Sequence, residues 1–231
     1  MKKRTLLSLL LLLALLAGCA PSAAWRPSAG VTTLTIAEEF PGDRADFQAQ
    51  PEADAAIGAL GAELLRAVRT PGENTLLSPL SITLALSMTA NGSAGDTLAE
   101  LEALLGAEVD VLNENAGSLL NDYLALEGST ESAIANSLWM DDSLAAGEVF
   151  LDRCTAFYRA EVYQADLPTE ETRDAVNDWI GQVTRGMIPQ MLQEPPREDA
   201  ALLLVNALYL KNAWEHEFDP VNTREDNFHP A

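Results

Sequence analysis

Few residues in this chain are equipped to act as nucleophile, base or metal ligand. Of its 231 residues, two are His and two are Cys. His216 and His229 both stand in the polar stretch at the end of the sequence. Glu215-His216-Glu217 has the residue types of a metal site, but adjacent residues do not share one helix face and no third ligand is evident. Solvated charge accounts for that cluster. Ser78 has no neighbouring base in the sequence to activate its hydroxyl. Gly92-Ser93-Ala94-Gly95 lacks the Lys that a phosphate-binding loop needs next. No cofactor is expected.

Cys19 is the cysteine with a chemistry written around it. Three bases at residues 2–4 precede an apolar run from Leu6 to Ala17, followed by Gly18-Cys19. The run is shorter than the roughly 20 apolar residues that span a bilayer. It has the layout of a secretory signal peptide. Its end, Leu16-Ala17-Gly18-Cys19, resembles a bacterial lipobox, in which the cysteine is diacylated and becomes the mature N-terminus. The expectation is a signal peptide over 1–18 and a lipid on Cys19, holding an exported protein on the outer side of a bacterial membrane or outside the cell. Asn91-Gly92-Ser93 matches a glycosylation acceptor, which such a leader discounts. Residues 20–50 are rich in Ala, Pro, Ser and Thr without a sustained apolar period, so 19–50 reads as a lipidated tether. A flexible chain of that length spans on the order of 30 Å r.m.s.. Trp25 and Thr33-Leu34-Thr35-Ile36 are expected to add at most a little local order. Cys154, near Phe150, Phe157 and Tyr158, reads as a small buried hydrophobe rather than a reactive thiol.

Charge narrows the partners. Thirty-five acids against 14 bases give −21, and removal of Lys2, Lys3 and Arg4 with the leader makes it −24. Such a surface repels phosphate backbones, which excludes nucleic acid.

Residues 51–231 carry the elements that must position any site. Ile57, Leu60, Leu64, Leu65 and Val68 recur at helical spacing between Pro51 and Thr70. Asn74–Leu77 is short and strand-like. Ser78-Pro79 then suits an N-cap followed by Pro at the first helical position. The helix it starts is apolar almost all round, which implies burial on every side. Further helices are predicted over 96–105, 109–126, 147–160 and 169–184, and strands over 133–140 and 161–167. The unbroken apolar run Ala200–Leu210 suits a strand covered on both faces. The fold class is α+β, with strands far apart in the chain.

Three blocks of this pattern resemble the serpin family of serine protease inhibitors. The first runs from Asn74 to Leu101 and opens Asn74-Thr75-Leu76-Leu77-Ser78-Pro79-Leu80-Ser81. The second is Ala135-Asn136-Ser137-Leu138-Trp139-Met140-Asp141, with Phe157–Val162, Val176–Ile180 and Gly186-Met187-Ile188 downstream. The third is Leu202–Trp214, continued by Phe218, Thr223 and Phe228. One departure is Asn212, where the family usually has Gly after the lysine.

The resemblance implies helices packed on a large, mainly antiparallel sheet, and a suicide substrate rather than an enzyme. A serine or cysteine protease attacks an exposed loop, and the cleaved loop inserts into the sheet as a new strand. By resemblance, Ser78, Ser81 and Asn206 form the shutter beneath the sheet centre, with Asn206 bonding to the hydroxyls at the helix start. Trp214 is implied at the breach, where insertion begins. The family domain is about twice as long as 51–231. The reactive-centre loop and C-terminal strands are therefore expected on a longer chain, and no reactive-centre residue is named. The competing expectation is a non-inhibitory, serpin-shaped binding or structural protein.

Overall fold

The structure, a computed structural model, describes residues 25–34, 47–126 and 131–227. Its elements in chain order are β1 (Val31–Leu34), α1 (Pro51–Val68), α2 (Pro79–Asn91), α3 (Gly95–Leu105), α4 (Val109–Leu124), β2 (Glu131–Asp141), α5 (Glu148–Tyr158), β3 (Glu161–Ala165), α6 (Glu170–Val183) and β4 (Leu202–Lys211). A single 3-10 turn follows at Pro220–Asn222. Helix α2 begins as its sequence dictates: Pro79 occupies the first turn and the Ser78 side chain accepts from the Ser81 N–H. Thr169 caps α6 in the same way, accepting from the Thr172 N–H.

The strands form one sheet in the order β1-β3-β2-β4. Strands β2 and β4 make a long antiparallel ladder from Glu131↔Lys211 to Met140↔Leu202. Strands β2 and β3 are parallel, so α5 is the crossover that joins them. The expected mainly antiparallel sheet with helices on it is what forms.

Side-chain alternation divides this sheet between two layers. Trp139, Tyr163, Val205 and Ala207 face α6, against Val176, Trp179 and Ile180. Leu138, Met140 and Val162 face the other way, against Leu84 and Met88 of α2, Ala116 of α4, and Leu151, Cys154 and Tyr158 of α5. A third cluster, Ala53, Leu60, Leu105 and Leu112, ties α1, α3 and α4 together behind that layer. The Ala200–Leu210 run is continuous rather than alternating because both faces of β4 meet apolar neighbours. Cys154 is fully buried, and burial pushes its thiol up to about 12, which suits an inert core residue.

Two expectations need correction. The stretch read as a tether is partly built into the domain. Val31–Leu34 pair antiparallel with β3, and Trp25 packs against Trp139 and Tyr163. Composition hid this because a four-residue strand has too few positions to show a period. Its stability comes from an edge that is distant in sequence. Asn74–Leu77 is the reverse case: among the described residues it pairs with no strand, and Leu76 is 99% exposed. Strand-like residues alone do not make a strand without a partner to pair with.

Candidate functional site

The centre of the sheet holds polar side chains inside an apolar layer. Asn136 of β2 and Asn206 of β4 lie directly opposite in the ladder. Asn206 Nδ2 donates to Asn136 Oδ1 at 2.8 Å, and Asn136 Nδ2 donates to the Tyr158 carbonyl at 2.7 Å. That carbonyl belongs to the last residue of α5, where the helix has no further N–H to supply. One amide pair therefore stitches both strands to the end of a helix. Asn136 is almost wholly buried. Among the described residues Asn206 Oδ1 has no hydrogen-bond partner, nor does Thr83 Oγ1 of α2, and both are buried.

At the start of α2 the Ser78 hydroxyl donates to Ser81 Oγ at 2.8 Å while accepting the Ser81 N–H. The expected bond from Asn206 to these hydroxyls is not the one that forms. Asn136 stands directly across the ladder from Asn206, and Ser78 and Ser81 satisfy one another as a helix cap. The three residues are grouped on elements that pack together, since α2 lies against β4. The hydrogen bonds pair Ser78 with Ser81 and Asn206 with Asn136 instead. Asn136 is the participant that sequence reasoning missed, although its signal was that of Asn206: an Asn inside an apolar strand.

A second buried network lies beside the first. Tyr158 Oη donates to Asn113 Oδ1 at 2.7 Å, and Asn113 exchanges amide hydrogen bonds with Asn91 at 2.7 and 3.0 Å. Burial raises the Tyr158 phenol well above its ordinary range, with the Cys154 sulfur adding to the effect. It is a neutral donor at any physiological pH. On the other face of the sheet, Glu161 accepts from Trp179 Nε1 at 2.8 Å and also from Tyr163 Oη. Burial, and then that hydrogen bond, raise the Tyr163 phenol as well.

At the Glu131↔Lys211 end of the sheet, the Glu131 carboxylate binds both Arg185, beyond the end of α6, and Lys211 of β4. The Arg185 guanidinium also lies 5.2 Å from the centre of the Tyr209 ring. Trp214 stands three residues beyond β4 and is 72% exposed, with its ring edge-on to Phe218 at 5.9 Å. It does not join the central polar group. His216 is exposed, and Cys19 and His229 lie outside the described residues. Among the described residues no three His, Cys, Asp or Glu side chains gather as a metal site. No described helix is long and apolar enough to cross a membrane.

The central group thus consists of amides and hydroxyls, with no activated nucleophile beside them. These groups offer hydrogen-bond donors and acceptors and no covalent chemistry. The fold and this site define an α+β protein whose described strands form one four-stranded sheet, with helices on both faces and hydrogen-bonded amide and hydroxyl pairs at its centre. Residues 55–231 match the family model described as Serpin (serine protease inhibitor), and the chain belongs to the serpin family. It is 35% identical over 168 residues to Serpin-ZXA of Oryza sativa subsp. japonica, covering 68% of this chain and 42% of that protein. It is 31% identical over 175 residues to human Antithrombin-III, covering 71% and 37%. Among solved structures, a loop C-sheet serpin polymer superposes with a TM-score of 0.70 at 28% identity, over 85% of this chain and 50% of that one. The native state of the thermophilic serpin tengpin gives 0.66 at 29% identity, over 83% and 47%. The chain spans about 40% of the length of the curated relatives named here.

Proposed function

We propose that this chain is the N-terminal part of a serpin-type inhibitor that traps a serine or cysteine protease by inserting a cleaved loop beside β4. The observation that carries the reading is Asn206. Its Oδ1 is buried without a partner among the described residues, on the strand that borders the described sheet. An unpaired buried carbonyl costs about 1–3 kcal/mol, and a strand laid along β4 brings donors to it. In this reading Asn136, Asn206, Ser78 and Ser81 form the shutter: two hydrogen-bonded pairs that let β4 and α2 part without leaving every polar group dry. Trp214, just past the end of β4, marks the breach. Cys19 carries the lipid that holds the inhibitor outside the cytoplasm.

One experiment addresses both parts. The complete gene product is labelled with palmitate and then offered to a panel of serine and cysteine proteases. Label is expected in the wild type and not in Cys19→Ala. An SDS-resistant complex at about one-to-one stoichiometry is expected from both proteins. Label in both removes the anchor and leaves the inhibitor reading intact. Proteases that stay fully active in every mixture, with no complex formed, transfer the protein to the non-inhibitory class.

A further inference from the structure

Residues 25–34 dock onto a surface that the rest of the domain builds without them. The floor of that surface is β3 and its two aromatic neighbours. Strand β2 holds β3 from one side by a parallel ladder. Trp139 and Tyr163 pair with ring centres 4.4 Å apart. The Glu161 carboxylate binds the Tyr163 hydroxyl and the Trp179 indole, so the Tyr163 ring is fixed from α6. The other edge of β3 presents main-chain donors and acceptors to any strand that arrives.

The N-terminal segment satisfies that edge at two points. Val31, Thr32, Thr33 and Leu34 stand opposite Ala165, Gln164, Tyr163 and Val162. Val31 is buried in the layer under α6, Leu34 packs into the opposite layer, and Thr32 and Thr33 are exposed. Trp25 closes the aromatic cleft edge-on, 5.2 Å from Tyr163 and 5.9 Å from Trp139. Between the two points Val31 N–H donates to the Ser28 carbonyl at 3.3 Å, and Gly30 takes a left-handed φ of 91°. An aromatic wedge, a tight turn and a four-residue strand are a short extended ligand, held by side-chain pockets and a main-chain ladder.

We propose that the edge of β3 opposite β2, with the Trp139–Tyr163 cleft, is a strand-acceptor site that residues 25–34 fill in cis and that accepts the same segment from a second copy of this chain. The pocket does not depend on the segment that fills it, and the segment is short enough to leave. A tethered ligand competes at an effective concentration on the order of millimolar, so the cis segment holds the site while it is intact.

The test uses the chain with a labelled, end-capped peptide of residues 25–34, followed by fluorescence anisotropy, and hydrogen exchange at residues 161–165. Against wild type, about 10 μM peptide is expected to show no binding, because the cis segment outcompetes it. Trp25→Ala/Val31→Asp removes the wedge and puts a carboxylate at a buried position. Its β3 amides are expected to lose protection and regain it with peptide, and the peptide is expected to bind about 100-fold more tightly than to wild type. Gly30→Ala is the second variant. No atom lies within 4 Å of the added Cβ, so only the turn is strained and the floor is untouched. It is expected to give an intermediate affinity. Failure of the peptide to bind either variant overturns the proposal. Equal binding of a scrambled peptide, or β3 amides that stay protected in both variants without peptide, overturns it too.

Discussion

Replacing Asn206 by Leu should cost this chain little, whereas the same change at Asn136 should cost it several-fold more. The asymmetry follows from where each amide bonds. At position 206, Leu removes the donor to Asn136 Oδ1 and leaves that oxygen dry, at about 1–3 kcal/mol. It also removes Asn206 Oδ1, which is already dry, and so returns a similar amount. The net change is within about 1 kcal/mol. At position 136, Leu strands two groups at once: the Tyr158 carbonyl and Asn206 Nδ2. Nothing is returned, so the expected loss is about 2–6 kcal/mol. The double variant leaves only the Tyr158 carbonyl unpaired and also removes the already dry Asn206 Oδ1, so it should recover most of the Asn136→Leu loss. Urea unfolding followed by tryptophan fluorescence measures all three, because Trp139 and Trp179 are buried reporters on the sheet and on α6. The denaturant slope should stay constant, so that midpoint differences read as stability. Equal losses from the two single variants would refute the reasoning. A loss at Asn206 larger than at Asn136 would show that its Oδ1 is paired in solution.

Two further outcomes test the packing. Cys154, with its thiol at about 12, should alkylate at pH 8 about three orders of magnitude more slowly than in urea. Because the folded value is the raised one, this group's contribution to stability is whole below about pH 9 and is lost progressively as pH rises towards about 12; Cys154→Ala should flatten that alkaline fall in urea midpoints. Gly117→Ala should destabilise by about 1–3 kcal/mol, although Ala in place of a mid-helix Gly ordinarily gains about 1 kcal/mol. The reason is that its Cβ would fall on the Phe47 ring, which packs on Phe157 at 5.4 Å. Gly117→Ala/Phe47→Leu should regain part of the loss in the same unfolding assay.

Long elements with one strong period were the legible part of this protein. Helices α1 to α6 and strands β2 and β4 announce themselves because each buries a stripe or a face that recurs along the chain. The Ser78-Pro79 cap was legible because its chemistry is local: the acceptor and the N–H it serves are three residues apart. What the sequence hid was pairing across distance. Asn206 reads as a buried amide needing a partner, but only the β2–β4 register shows that Asn136, 70 residues away, is that partner. Trp25 reads as an isolated aromatic in a polar stretch, and only the Trp139–Tyr163 cleft gives it a place. Asn74–Leu77 is the opposite case, since composition favours a strand there and the described residues supply it no ladder.

The docking of Trp25 changes the mechanics of any attachment through Cys19. Only five residues, 20–24, separate the two positions. Fully drawn out, the connection from Cys19 to Trp25 reaches about 20 Å, and no slack from residues 25–34 is available while β1 is paired. An anchor there is a short leash, not a long tether, and it pulls on one side of the sheet. It would hold the β1 edge facing the lipid and the β4 edge away from it, separated by the sheet's own width. Strands spaced about 4.8 Å apart make that width roughly 15 Å. Residues 19–231, at −24, would also be pushed off an anionic surface, so that leash and repulsion together would turn the β4 side of the described sheet away from such a membrane.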